Sequence, residues 1–175
     1  MRTFEELEAF WQTRLRPPIG RGIVELIVVR PVSGQRLTPP RVDLSPEQGV
    51  HGDRWLHAEK RVAGAQISLL DARIAEFVAH GQDHALFGDN FLVDLDLAMD
   101  AMPEGANLAI GSARLQVSEV PHTGCKKYVE RFGSEAMRWI SHKEHRARRL
   151  RGIYCRVSTA GSVALGDTIE IVPGP

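Results

Sequence analysis

The sequence lacks the features that would make it a membrane, secreted or nucleic-acid-binding protein. Its 22 Lys and Arg residues are balanced by 22 Asp and Glu residues, so no overall charge favours nucleic acid or a membrane surface. No apolar run approaches the length of about 18 residues that a bilayer span requires. The N-terminal MRTFEELEAFWQTRL also lacks the apolar core of a signal peptide. We therefore expect a protein that contacts neither membranes nor nucleic acid.

Cysteine is scarce, with only two among 175 residues. Small secreted domains are usually held together by several disulfides, whereas two cysteines without a secretory signal indicate free thiols in a reducing compartment. The two are not spaced as a CxxC pair, so a structural zinc site is not expected. The predicted location is cytoplasmic.

The motifs of the common nucleotide-binding folds are missing as well. The chain contains neither GxGxxG nor a P-loop, and strands and helices do not alternate as in a doubly wound sheet. Short apolar runs of strand length are instead separated by glycine corners, as at residues 22–30, 107–111 and 113–120. The predicted fold is mainly β, a β-barrel with a few peripheral helices.

A helical pattern precedes the first strand. Residues 3–15 have apolar side chains at helical spacing, with Thr3 and Glu6 at the positions of a capping box. The Arg-Pro-Pro that follows ends this helix. We therefore predict an N-terminal helical extension at residues 1–20 and a barrel domain at residues 21–175.

Two further helices are predicted inside the barrel domain. Residues 65–80 begin like a strand and continue as a helix, with Ser68 as a candidate cap. Residues 134–143 carry Ala136 and Met137 on one face. These two segments are the peripheral helices of the predicted barrel.

One cysteine has the sequence pattern of a core residue. In the strand-like GIYCRV, Cys155 shares a face with Ile153 and Val157, while the residues between them point the other way. A free cysteine on an apolar face behaves as a small hydrophobic side chain. We predict that Cys155 is buried and structural.

The other cysteine lies in VPHTGCKKYVERFG, between a predicted strand and a helical stretch. His122, Lys126 and Lys127 are close to Cys125 in sequence, and nearby cations favour the thiolate that binds metals or attacks electrophiles. Three interpretations stay open at this stage: a reactive or metal-binding thiol, a Cys–His pair with His122, and an ordinary turn residue.

Two polar loops are candidate ligand contacts. HGDRWLH concentrates polar side chains whose spacing favours an anion or substrate contact over a metal: His51, Asp53, Arg54 and His57. The alternative is a solvated loop in which the aspartate makes a local turn bond. FGDN, with Asp89 and Asn90, fits a simple turn from its spacing alone.

A basic run, HKEHRARRLR, occupies residues 142–151. Forked guanidinium groups match phosphate oxygens, so its arginines are candidates for holding a phosphorylated ligand. The alternative is a solvated helix end, where cations are favourable next to the helix dipole.

In their order along the chain, these stretches resemble the MOSC domain, the C-terminal domain of molybdenum-cofactor sulfurases. The resemblance is carried by GVHGDRW, AQISLLDARI, FGDNFLVDLDL, MPEGANLAIGSARLQVSEV, the cysteine stretch, RGIYCRV and GSVALGDTIEI. It covers about residues 22–173 and is similar above all to stand-alone bacterial members. It implies a barrel like the β-barrel domain of pyruvate kinase.

The resemblance also implies a site. In relatives that reduce N-hydroxylated compounds, a cysteine thiolate binds molybdenum in a phosphorylated pterin cofactor, and the matching metal ligand and catalytic residue is Cys125. The motifs and the nearby cations imply these cofactor contacts: His51, Asp53, Arg54, Asn90, His122, Lys126, Arg148, Arg149 and Arg151. The chain departs from the family pattern at Gly124, where proline is frequent, and at Asp89, where glutamate is usual.

The expected function is that of a molybdenum-cofactor (molybdopterin) oxidoreductase that reduces N-hydroxylated or N-oxide small molecules. A separate protein would supply the electrons, because the chain has no flavin or haem motif. One alternative is a carrier that holds a persulfide on Cys125, loaded by a sulfur-donor protein, or that delivers the cofactor to another enzyme. Another is a ligand-binding barrel without chemistry.

Overall fold

The computed structural model describes residues 1–59 and 61–174, and these contain ten strands and three α-helices. The strands are β1 Arg21–Ile27, β2 Arg41–Ser45, β3 Gly49–Val50, β4 Ile67–Asp71, β5 Phe91–Asp94, β6 Asn107–Ile110, β7 Ala113–Val117, β8 Ile153–Thr159, β9 Gly161–Ala164 and β10 Thr168–Val172. The helices are α1 Phe4–Thr13, α2 Ala72–Ala79 and α3 Lys126–Ser141. Short 3₁₀ helices lie at Arg54–His57, Ala63–Ala65, His84–Phe87 and Lys143–Arg148.

Seven strands close a barrel in the order β1-β10-β6-β7-β8-β4-β5, and β5 pairs back onto β1. Neighbouring strands are antiparallel except for β4 and β5, which run parallel because the chain returns through α2 between them. The strands β3, β2 and β9 form a separate three-stranded sheet. The prediction of a mainly β barrel with a few peripheral helices is confirmed.

The barrel interior is filled by side chains that alternate along the strands. In β7, Ala113, Leu115 and Val117 are buried and the two residues between them are exposed. Cys155 on β8 is fully buried, in register with Ile67 of β4 and Val117 of β7. The prediction that Cys155 is a core residue is therefore confirmed.

A second apolar cluster lies outside the barrel, where side chains of the three α-helices pack together. Leu7 of α1 and Trp139 of α3 are fully buried there. The predicted capping box is present, because the Thr3 hydroxyl accepts the Glu6 N–H and the Glu6 carboxylate accepts the Thr3 N–H. The shared apolar cluster of Leu7 and Trp139 attaches α1 to α3. The division into an extension and a barrel domain stays a prediction.

Several predicted boundaries are wrong. Non-helical backbone at Gly133 (φ 91°) divides α3 into two parts, and the second part begins at the predicted Ser134, whereas the predicted bounds leave out the first part from Lys126. The α2 cap is Asp71 rather than Ser68, because β4 extends to Asp71. Strand β2 also lies in a proline-rich segment, residues 37–49, for which no strand is predicted above. When an apolar pattern continues across a strand–helix junction, it does not show at which residue one element ends.

None of the helices in the described ranges is both long and apolar enough to cross a bilayer. The cytoplasmic location stays a prediction.

Candidate functional site

Cys125 lies where the loop after β7 enters α3. It adopts an extended backbone conformation as the N-cap, and its carbonyl oxygen accepts the N–H of Tyr128 at 2.9 Å. Its side chain makes no capping bond to the helix, and the residue is exposed. The thiol is therefore free to meet a ligand from outside the chain.

Cys125 lines a cavity of about 210 Å³, which we call the cysteine cavity. In the part of the chain that the structure describes, its lining contains six cationic side chains and one carboxylate. The cations are Arg30, Arg36, Arg54, Lys127, Arg131 and Arg151, and the carboxylate is that of Asp89. Because the whole chain is neutral, this is a local concentration of positive charge that favours an anionic ligand.

A buried ion pair lies in the wall of the cysteine cavity. One guanidinium nitrogen of Arg151 is 2.5 Å from Oδ2 of Asp89, and their side chains are only 11% and 1% exposed. The same guanidinium donates to the carbonyl oxygen of Phe87 at 3.3 Å. Burial raises the pKa of the Asp89 carboxyl, and the charge of Arg151 opposes that rise. Asp89 is thus a buried ion-pair partner as well as a turn residue.

His122 packs against this ion pair. Its side chain is 5% exposed, and its Nδ1 lies 3.6 Å from Oδ1 of Asp89, beyond hydrogen-bond distance. Within the described residues neither atom has a hydrogen-bond partner. The imidazole lies on the ring of Tyr154, with 4.0 Å between the centroids. Burial, aided by Arg151 and Arg30, holds the pKa of His122 well below its ordinary value, so the ring is neutral at pH 7.

Asn90 and Asp53 hold the cationic side chain of Arg30 in place. The Asn90 side chain is fully buried, accepts the N–H of Ser68 at 3.1 Å and donates to Asp53 at 3.2 Å. The Asp53 carboxylate accepts two bonds from the guanidinium of Arg30, at 2.8 and 2.9 Å. Although burial raises the pKa of Asp53, the bonds from Arg30 bring it below its ordinary value. This network fixes Arg30 at the cavity wall.

The structure brings four of the sequence-predicted side chains to the cysteine cavity, namely Cys125, Arg54, His122 and Arg151. It also places there four side chains that sequence reasoning missed, namely Arg30, Arg36, Arg131 and Tyr154. These four belong to the chain after β1, to α3 and to β8. Sequence spacing gives no signal for this cluster, because these side chains come together only when the barrel closes.

Other predicted contacts lie elsewhere. Arg148 donates to Glu8 of α1 at 2.8 Å and lines neither this cavity nor the one beside it. His51 and Lys126 are exposed and also line neither cavity. The basic run winds into a 3₁₀ helix over Lys143–Arg148, so its arginines point in different directions. The predicted cofactor contacts of these three residues have no counterpart in the cavity walls.

A second cavity of about 450 Å³, the side cavity, adjoins the cysteine cavity. His122, Thr123 and Arg151 line both cavities and therefore form the wall between them. Arg149 lines the side cavity, where its guanidinium donates to the carbonyl oxygen of Met102. Arg149 thus serves to join the segment before β8 to the loop before β6.

The glycine before the cysteine faces the side cavity. A Cβ atom on Gly124 would lie 2.4 Å from Sδ of Met137 in α3, so any larger residue requires the methionine to move. Glycine at this position lets the cysteine loop pass close to α3.

No group of three or more His, Cys, Asp or Glu side chains able to hold a metal ion occurs in residues 1–59 and 61–174. A metal bound by Cys125 would therefore take further ligands from a cofactor. The positive charge of the cysteine cavity suits an anionic cofactor. Arg36 and Arg151 also each keep a buried Nε–H that finds no partner among the described residues.

Comparisons with known proteins agree with this fold. The sequence model of the MOSC domain matches residues 53–170. YuaD from Bacillus subtilis superposes with a TM-score of 0.67 at 20% identity, covering 89% of this chain and 97% of YuaD. YiiM from Escherichia coli gives 0.58 at 18% identity, with 87% of this chain and 71% of YiiM covered. YiiM from Geobacillus stearothermophilus gives 0.55 at 18% identity, with 87% and 73% covered.

No curated protein sequence matches this chain at a significant level. The structural similarities, at 20% identity or less, show the fold alone. The sequence match is different in kind, because it spans more than half of the chain and includes both the Asp53 loop and Cys125. The chain therefore belongs to the MOSC domain family.

Proposed function

We propose that this MOSC protein binds a molybdenum cofactor at the cysteine cavity and reduces N-hydroxylated or N-oxide small molecules. One observation carries the proposal: the exposed thiol of Cys125 opens onto a cavity lined by six cationic side chains. A soft thiolate suits a molybdenum centre, and the cations offset the negative charge of a phosphorylated pterin.

In the cysteine cavity, one residue would bind the metal and others would bind the anionic part of the cofactor. Cys125 would be the protein ligand to the metal. Arg54, Arg36 and Arg131 offer forked donors to phosphate oxygens, and Lys127 adds a further positive charge. When bound, the cofactor would supply a metal centre that passes electrons to the substrate.

The remaining groups orient the substrate and exclude water. The ion pair of Arg151 and Asp89 and the ring of His122 are almost inaccessible, so solvent does not reach the cavity through that wall. Arg30 is already held by Asp53, so its charge needs little reorganisation when a polar substrate binds. These groups act on substrate held beside Cys125.

The electrons come from a separate electron-transfer protein in this proposal. Cleavage of one N–O bond consumes two electrons, and the sequence has no motif for a flavin or haem that would store them. The exposure of Cys125 leaves the site open to such a partner.

Metal analysis tests the proposal. Protein produced in a host that makes the cofactor is expected to contain molybdenum and pterin in equal amounts, and Cys125→Ser is expected to lose most of both. Cys155→Ala is the matched control, because it removes the buried thiol and leaves the cavity lining unchanged. Wild-type protein without molybdenum, or Cys125→Ser protein with the wild-type content, would contradict it.

The exposure of Cys125 also supports a second candidate, a sulfur carrier that holds a persulfide on this residue. A donor protein can reach an exposed thiol at the start of a helix, whereas the Cys155 thiol is closed inside the barrel. Intact-mass measurement after incubation with a cysteine desulfurase should then show one added sulfur atom, absent in Cys125→Ser. An unchanged wild-type mass excludes this candidate.

A further inference from the structure

The wall between the two cavities contains a histidine with one ring nitrogen turned inward. Nδ1 of His122 faces Oδ1 of Asp89 and is closed off from solvent. The side chain nevertheless lines both the cysteine cavity and the side cavity. Nε2 is therefore the nitrogen that a ligand in either cavity can meet.

Asp89 is held in the position needed to orient this ring. Its Oδ2 is engaged by Arg151 at 2.5 Å, which turns Oδ1 toward His122 at 3.6 Å. A carboxylate facing one nitrogen of an imidazole places the proton on that nitrogen and leaves a lone pair on the other. Such contacts are often long before a ligand binds. The Tyr154 ring supports the imidazole on its face.

Four groups face the imidazole from the elements packed around it. They are Asp89 before β5, Arg151 before β8, Tyr154 on β8 and Arg30 after β1. Burial raises the pKa of the Tyr154 phenol, so this ring stays neutral. Two guanidinium cations oppose one carboxylate, so an imidazolium formed here gives up its proton readily.

The proposed reaction requires protons as well as electrons. Reduction of an N-hydroxylated substrate, R–NHOH with two electrons and two protons, gives R–NH2 and water. The electrons come from the electron-transfer protein of the proposed function, on which this inference rests. Without a proton on the departing oxygen, the N–O bond would have to break to hydroxide, a poor leaving group. A proton donor at the cavity wall lowers that barrier.

We propose that His122 is a catalytic acid that takes up a proton on Nε2 from water in the side cavity and passes it to the oxygen leaving as water. The N–O bond breaks and its electron pair leaves with the water, the two electrons from the electron-transfer protein restore a pair on the substrate nitrogen, and a second proton from solvent completes the amine. Asp89 is a positioning residue that sets the tautomer of His122, and Arg151 holds Asp89.

The tautomer is measured on metal-free protein, independently of turnover. Nitrogen-15 NMR of the imidazole is expected to show neutral His122 with its proton on Nδ1 at pH 7. Asp89→Asn should redistribute the proton between the two nitrogens, and Asp89→Glu, which keeps the carboxylate, should largely retain the wild-type spectrum. A wild-type proton on Nε2, or an unchanged tautomer in folded Asp89→Asn, overturns the assignment.

Turnover is measured on molybdenum-loaded protein with an N-hydroxylated probe and a small-molecule one-electron reductant. His122→Gln should lower kcat by about 10²- to 10⁴-fold, with KM and molybdenum content close to wild type. The wild-type kcat should fall as the pH rises above the pKa of His122, and the variant should lose this dependence. His80→Asn is the matched control, because it removes an exposed histidine at a left-handed position that asparagine tolerates.

The outcomes separate this inference from the proposed function. Wild-type protein without molybdenum overturns both. Normal molybdenum content with unchanged kcat in His122→Gln overturns the role of His122 alone. Should His122→Gln fail to fold, the wild-type tautomer and pH profile still decide.

Discussion

Cys155 and Cys125 lie in opposite environments of the fold, one buried and one exposed. Cys155 lies on β8 among apolar barrel side chains, and burial raises the pKa of its thiol to about 12. Cys125 is exposed at the start of α3, beside six cationic side chains. Both are single cysteines in short, ordinary-looking segments. Location in the fold, rather than residue type, therefore decides which of the two thiols a ligand can reach.

The two regions also differ in what they contribute to stability. The barrel interior buries apolar side chains, which favours folding. The cysteine cavity gathers like charges instead, and burial together with Arg131 and Arg54 lowers the pKa of Arg36. Such a cluster opposes folding, and a bound anion would relieve the repulsion.

The two thiols should react with an alkylating reagent at very different rates. In native protein, iodoacetamide should modify Cys125 at least about a thousandfold faster than Cys155, because Cys155 reacts only after the barrel opens. Mass spectrometry of timed samples measures both rates. Cys125→Ser should show almost no native labelling and one modification after denaturation. Comparable rates at the two thiols would show that the reagent reaches Cys155 as easily as Cys125.

The next effect concerns the charge buried beside Cys125. Arg151→Met should lower the free energy of unfolding by about 3–5 kcal/mol, because it leaves Asp89 buried without its partner. Arg156→Met is the matched control on β8, since Arg156 is 43% exposed and its pair with Glu119 should contribute less than about 1 kcal/mol. Urea denaturation measures the free energy of unfolding of both variants. Equal losses would show that the buried pair of Arg151 and Asp89 stabilises the fold no more than an exposed pair does.

Asp71, a buried carboxyl at the end of β4, should have a smaller effect on the free energy of unfolding. Asp71 caps α2, and burial raises its pKa from 3.8 to about 6. Because the folded pKa is the higher one, protonation favours the folded state, and this stabilisation is lost as the pH rises from about 4 to about 6. Asp71→Asn should remove that pH dependence and raise the free energy of unfolding at pH 7 by up to about 3 kcal/mol.

Denaturation curves between pH 4 and pH 7 check this expectation for Asp71. Asp43→Asn, which changes an exposed aspartate of β2, should keep the wild-type profile. An Asp71→Asn profile parallel to that of wild type would show that burial does not control this carboxyl.

Local patterns predicted the features that depend on neighbouring residues. Alternation placed Cys155 in the core, and the spacing of Thr3 and Glu6 predicted the α1 capping box. The same reasoning failed where β4 meets α2, because it placed the helix cap at Ser68 instead of Asp71. Residue spacing reports periodicity within one element and says little about its ends.

Sequence alone is enough to assign the fold class and the family, and to separate Cys125 from the core cysteine Cys155. Tertiary structure decided which charges surround the exposed thiol: it brought Arg30, Arg36 and Arg131 to Cys125 and turned Arg148 away toward Glu8. It also placed Asp89 between Arg151 and His122. The physical reason is that backbone preferences and apolar periodicity act over a few residues, whereas electrostatic contacts depend on barrel closure, which joins segments far apart in the chain.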